Sequence, residues 1–128
     1  MMNNNTCKVI AIDFDGTLCE SKYPDIGKPN LELIEIVKDL QSYGHKLILW
    51  TCRTNELLDN AIEFCKQYGL EFDAINSNIP DRVAQYGNDP RKIGADYYID
   101  DKCLMPSVLE LCYHLYGKKL FDDFENNT

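Results

Sequence analysis

Lys8-Val9-Ile10-Ala11-Ile12-Asp13-Phe14-Asp15-Gly16-Thr17-Leu18 is an apolar, β-branched run that breaks off into two acids, a glycine and a threonine. A near-continuous apolar run predicts a strand covered on both faces, as in a parallel sheet, and residues 8–14 are expected to form it. Side chains alternate across a strand, so Asp13 and Asp15 leave the sheet on the same side. Their repulsion must then be offset by a cation or a proton. A hard divalent cation is the economical solution. Gly16 permits a tight turn whose N–H groups can face an anion. A strand end capped by Asp and Thr would carry the same residues, so the motif takes its meaning from what the rest of the chain brings beside it.

Outward from this stretch, short apolar runs alternate with amphipathic ones, which predicts βαβ units and an α/β fold. Residues 46–51 repeat the first strand pattern, 71–76 and 97–100 are shorter candidates, and 118–121 is a weak fifth. Helices are expected over 31–43, with Asn30 as N-cap and Gly44 as stop, and over 55–68, capped by Thr54 or Asn55 and stopped by Gly69. A third is expected over 106–116, opening with Pro106. Residues 18–30 and 77–92 break the alternation and read as loops, the second with one helical turn around Arg82 to Gln85. Residues 1–6 and 122–128 read as solvated tails of a single domain spanning 1–128.

The 128 residues carry 13 Lys plus Arg against 21 Asp plus Glu, a formal charge of −8, which argues against a basic nucleic-acid face. No apolar run is long enough to cross a membrane and the start does not resemble a signal peptide, so a cytoplasmic protein is expected. The six cysteines never form a CxxC pair, so reduced thiols are expected and no zinc pattern is present.

In a parallel sheet all strands end at one edge, where ligands bind. That edge collects Asp13 and Asp15 from the first strand, Thr51 from the second, and Asp100 and Asp101 from the fourth, with Lys92 in the preceding loop. A nucleophile, a proton donor, a metal site and positive charge together make the inventory for moving a phosphoryl group.

With these residues in place, the chain resembles the haloacid dehalogenase superfamily of phosphohydrolases over residues 8 to 104. Ile12 through Leu18 match its first motif, Leu47 through Thr51 its second, and Tyr98-Ile99-Asp100-Asp101 its fourth. The third motif is a lysine, assigned to Lys92 with Lys102 as competitor. The resemblance implies a Rossmann-like three-layer α/β/α sandwich with a mainly parallel sheet of about five strands. It implies that Asp13 is the nucleophile, forming an aspartyl phosphate, and that Asp15 is the general acid and base. Mg2+ would be held by Asp13, the Asp15 backbone carbonyl, Asp100 and Asp101. Thr51 and the Cys52 N–H would bind phosphate oxygens and Lys92 would neutralise their charge. Phe14, Gly16 and Thr17 of the first loop, and Arg53 beyond the second strand, are candidate substrate contacts.

Neither insertion point for a cap domain holds the roughly 50 residues a domain needs, so the protein is expected to be capless. Such a crevice is open to large substrates or is closed by a second copy in a homo-oligomer. A small phosphorylated molecule is the expected substrate. A receiver-like phosphoacceptor would carry its acidic pair first and its acceptor Asp later, the reverse of the order here. A catalytically silent phosphate-binding domain would not need the full set of residue types.

Overall fold

The computed structural model describes residues 7–102; the helix expected over 106–116, the strand over 118–121 and both tails lie outside the described residues. Along the chain the elements are β1 (Val9–Ile12), β2 (Cys19–Lys22), β3 (Asp25–Pro29), α1 (Leu31–Ser42), β4 (Lys46–Leu49), α2 (Asn55–Gln67), β5 (Ala74–Ile75), α3 (Pro80–Tyr86) and β6 (Tyr97–Ile99).

All residues of β1 are buried because the strand is covered on both faces and paired on both edges. It runs parallel to β4 on one side and to β6 on the other, and β5 extends the sheet beyond β4, giving a four-stranded parallel sheet in the order β5-β4-β1-β6. Alternation divides the side chains. Ile10, Ile12, Leu47 and Leu49 pack with Ile34 and Val37 of α1 and with Ala61 and Cys65 of α2. Val9, Ala11 and Ile48 pack with Ile79, which precedes α3, and with Ile93. The strands are shorter than the apolar runs predicted. Past Ile12 and Leu49 the ladder continues by single bonds, from the Asp13 N–H to the Ile99 carbonyl and from the Trp50 N–H to the Ile12 carbonyl, both 2.9 Å, before the backbone turns away.

The Asn30 side chain accepts the Leu33 N–H at 3.2 Å, capping α1, and donates to the Thr17 carbonyl at 3.1 Å, which ties the helix to the loop after β1. Thr54 precedes α2 without a side-chain cap bond.

Residues 18–30 form no irregular loop but the antiparallel β2–β3 hairpin. Two prolines are compatible with this hairpin because Pro24 sits in the connection between the strands and Pro29 at the end of β3, where a missing N–H is tolerated. Gly27 is required by close packing, since a Cβ there would collide with the Glu20 backbone and side chain. Residues 77–92 hold a full two-turn helix, α3, rather than one turn, with Pro80 at its start and Gly87 in the left-handed conformation at its end. The rest of that segment is pinned by buried Asn78, which donates to Asp89 Oδ1 at 2.7 Å and accepts the Gly94 N–H at 2.6 Å. No helix among the described residues is long and apolar enough to cross a membrane.

Asn30→Ala removes both a helix cap and a link to the β1 loop, so urea denaturation should show a loss of about 1–2 kcal/mol. An unchanged unfolding midpoint would show that neither bond contributes.

Candidate functional site at the carboxyl ends of the strands

After β1 the chain crosses to β4 and then β5, and only afterwards returns to β6 on the opposite side of β1. That reversal opens a crevice at the carboxyl ends of β1 and β6, the place where open α/β sheets bind ligands. Asp13 arrives there from β1, Asp100 and Asp101 from β6, and Thr51, Cys52 and Arg53 from β4; with Ser21 and Tyr23 of the hairpin they line a cleft of about 390 Å³.

Asp13, Asp100 and Asp101 each offer a carboxylate oxygen within 4.8 Å of the others. Burial, the Asp100 charge and the Asp101 carboxyl push the Asp13 pKa from 3.8 up to about 6, while the Thr17 hydroxyl and the Phe14 N–H partly offset them. Thr17 is the pivot of this arrangement. Its hydroxyl donates to Asp13 Oδ2 at 3.2 Å and accepts the Asp101 N–H at 3.1 Å. Gly16 has φ +86°, and a Cβ there would run into the Asp101 carboxylate, so the β1 and β6 exits interlock. Three carboxylate oxygens within reach of one another are hard donors of the kind that suits a hard divalent cation such as Mg2+.

Asp15 stands apart from this cluster. Arg53 donates from Nε to Asp15 Oδ2 at 2.8 Å and from Nη2 to Asp15 Oδ1 at 2.7 Å, a bidentate pair. Its remaining N–H groups reach the Pro24, Leu57 and Asp25 carbonyls at 3.2, 3.3 and 3.0 Å. The guanidinium also lies 5.1 Å from the Phe14 ring centroid and 5.2 Å from that of Tyr23. Arg53 is only 1 % exposed. The expectation that it contacts substrate is therefore corrected: all five donors are spent inside the protein. Both Asp15 side-chain oxygens accept from Arg53, and the carboxylate is not one of the three in the cluster of Asp13, Asp100 and Asp101.

Other candidates are also re-placed. The Phe14 ring is fully buried and packs edge-on to Phe64, so it is a core residue beneath Arg53 rather than a substrate contact. Thr17 is 8 % exposed and serves the two acids, and Gly16 is pressed against Asp101. Lys92 is exposed beside buried Ile93 and does not line the cleft, whereas Lys102 does. Thr51 donates its N–H to Asn76 Oδ1 at 2.8 Å and accepts the Arg53 N–H on its hydroxyl oxygen at 3.1 Å, which leaves the hydroxyl proton free to face a ligand. The Cys52 N–H donates to no described group, and its thiol is free and exposed. Asn76, which holds the β4 exit with φ 52°, carries no motif that would have singled it out; an Asn tolerating a left-handed turn after a strand is the one available signal.

An α/β sheet with an acidic cleft at its switch point is the class of protein that fold and site define. No family model matches the chain, and no curated protein does. A solved structure described as the conserved protein coded by a locus of Bacteroides thetaiotaomicron is 40 % identical, with a TM-score of 0.70, over 93 % of this chain and 98 % of that one. The chain belongs to the same family as that protein.

Arg53→Met leaves Asp15 unpaired and frees the hairpin tip, so it should lower the unfolding free energy by about 3 kcal/mol, measured by urea denaturation. A loss under about 1 kcal/mol would show the pair to be a surface-type contact. The Asp13 pKa carries a sign that can be tested in chelator-treated protein. The folded chain holds that proton more tightly than the unfolded one, so Asp13 costs stability as pH rises from 3.8 to about 6. Relative to the native protein, Asp13→Asn should gain stability across that window, and a constant difference would refute the raised Asp13 pKa.

Proposed function

We propose that the protein is a magnesium-dependent phosphomonoesterase resembling the haloacid dehalogenase superfamily, on a Rossmann-like three-layer α/β/α core without a cap domain. The observation that carries the reading is the convergence of Asp13 with Asp100 and Asp101 in one cleft beside the Thr51 hydroxyl and the Cys52 N–H, which donates to no described group. The layering is supported by α1 and α2 against one sheet face and the Ile79 and Ile93 segment against the other.

Asp13, Asp100, Asp101 and the Asp15 carbonyl would hold Mg2+. When bound, the ion supplies positive charge to the phosphoryl oxygens and keeps Asp13 ionised. An Asp13 oxygen attacks phosphorus as the ester P–O bond breaks, and the leaving oxygen takes a proton from Asp15. Water then attacks the aspartyl phosphate, returns a proton to Asp15 and releases inorganic phosphate. The proton on Asp15 sits on a lone pair that Arg53 does not use, and the Arg53 pair sets where the acid sits between steps. Thr51 and the Cys52 N–H bind the phosphoryl oxygens, and Lys102 takes the role that sequence spacing gave to Lys92.

Hydrolysis of p-nitrophenyl phosphate should require Mg2+ and fall at least about a hundredfold in Asp13→Asn. Lys102→Ala should lose more activity than Lys92→Ala. Turnover that survives Asp13→Asn would sink the mechanism.

A further inference from the structure

Tyr23 is 60 % exposed and, with Ser21, is the hairpin's contribution to the lining of the cleft that holds the acids. An exposed aromatic side chain normally retains rotamer freedom, but this ring has the Arg53 guanidinium 5.2 Å from its centroid. Arg53 is itself locked, and two of its bonds go to the carbonyls of the residues that follow Tyr23, Pro24 at 3.2 Å and Asp25 at 3.0 Å. One face of the ring is thereby committed to Arg53 while the ring stays open to solvent. The other large exposed apolar side chains, Leu31, Ile36, Tyr43, Tyr86, Tyr97 and Tyr98, do not line this cleft. A preorganised ring binds without a further ordering cost, and a planar partner is what an aromatic face receives best.

Charge narrows the partner further. With Arg53 spent on Asp15, Lys102 is the cation left among the described residues lining the cleft, against Asp13, Asp100 and Asp101 in the same lining. A leaving group with a second anion would meet acids without a cation to receive it, whereas an uncharged ring meets no such barrier.

Resting on the phosphomonoesterase reading, we infer that Tyr23 is a stacking platform for an uncharged planar ring on the alcohol side of the ester, which makes phosphomonoesters of such rings, the chemistry a nucleoside monophosphate and an aryl phosphate share, the substrate class. The phosphate lies at the acids and the ring reaches back over the hairpin.

The test is calorimetric titration of Asp13→Asn, with Mg2+ present, using uridine monophosphate and glycerol 3-phosphate, which carry one phosphate each. The nucleotide should bind about tenfold more tightly, the size of a single aromatic stack. Adding Tyr23→Phe should keep that ratio, and adding Tyr23→Ala should bring it to about one, with thermal melts confirming that each variant is folded. Phenyl phosphate in a third arm reports whether the ring alone suffices; binding as weak as glycerol 3-phosphate would overturn stacking as the cause. Equal binding of nucleotide and glycerol 3-phosphate, or a preference that survives Tyr23→Ala, overturns the inference and leaves the phosphatase reading standing. Absence of binding by every ester, together with no turnover by the native protein, overturns both.

Discussion

A buried guanidinium has to satisfy its donors inside the protein, and Arg53 does so by drawing three separate segments around itself. Asp15 comes from the exit of β1, Pro24 and Asp25 from the hairpin connection, and Leu57 from the first turns of α2. Phe14 beneath and Tyr23 above close the stack. The hairpin connection, the Asp15 carboxylate and the first turn of α2 are all tied to that one guanidinium. Losing any partner would strand a desolvated polar group, so the arrangement is held as a unit.

The same contact sorts the acids. Asp13 and Asp15 leave β1 two residues apart, and alternation alone would let them repel each other in one site. Arg53 neutralises Asp15 and turns it aside, which leaves Asp13 to face Asp100 and Asp101. Thr17 and Gly16 then set how closely those three approach, one by bridging Asp13 and the Asp101 backbone, the other by leaving room for the Asp101 carboxylate. Under the proposed mechanism the two β1 acids therefore work in different electrostatic surroundings, although their sequence context is nearly the same.

β1 and β4 are legible because strands enclosed in a parallel sheet need apolar residues throughout, and α1 and α2 because one stripe must face that sheet. β6, at the sheet edge and largely exposed, is legible from its short aromatic and β-branched run ending in two acids. The hairpin is not, since of β2 only Cys19 is buried and the prolines sit where no ladder bond is lost. Spacing along the chain puts Lys92 in the loop before β6, yet its neighbour Ile93 packs with Val9, Ala11 and Ile48, and Lys92 does not line the cleft.

The sequence by itself determined the α/β alternation, the strand-end positions of Asp13, Thr51, Asp100 and Asp101, and hence their gathering at one edge, because apolar periodicity and parallel pairing are local rules with a global consequence. Only the tertiary structure decided that Arg53 braces Asp15 instead of reaching outward, that Lys102 rather than Lys92 faces the cleft, and that Tyr23 is held open beside it. Those outcomes depend on satisfying charges and N–H groups across segments tens of residues apart, and that is a property of packing in three dimensions which no spacing along the chain records.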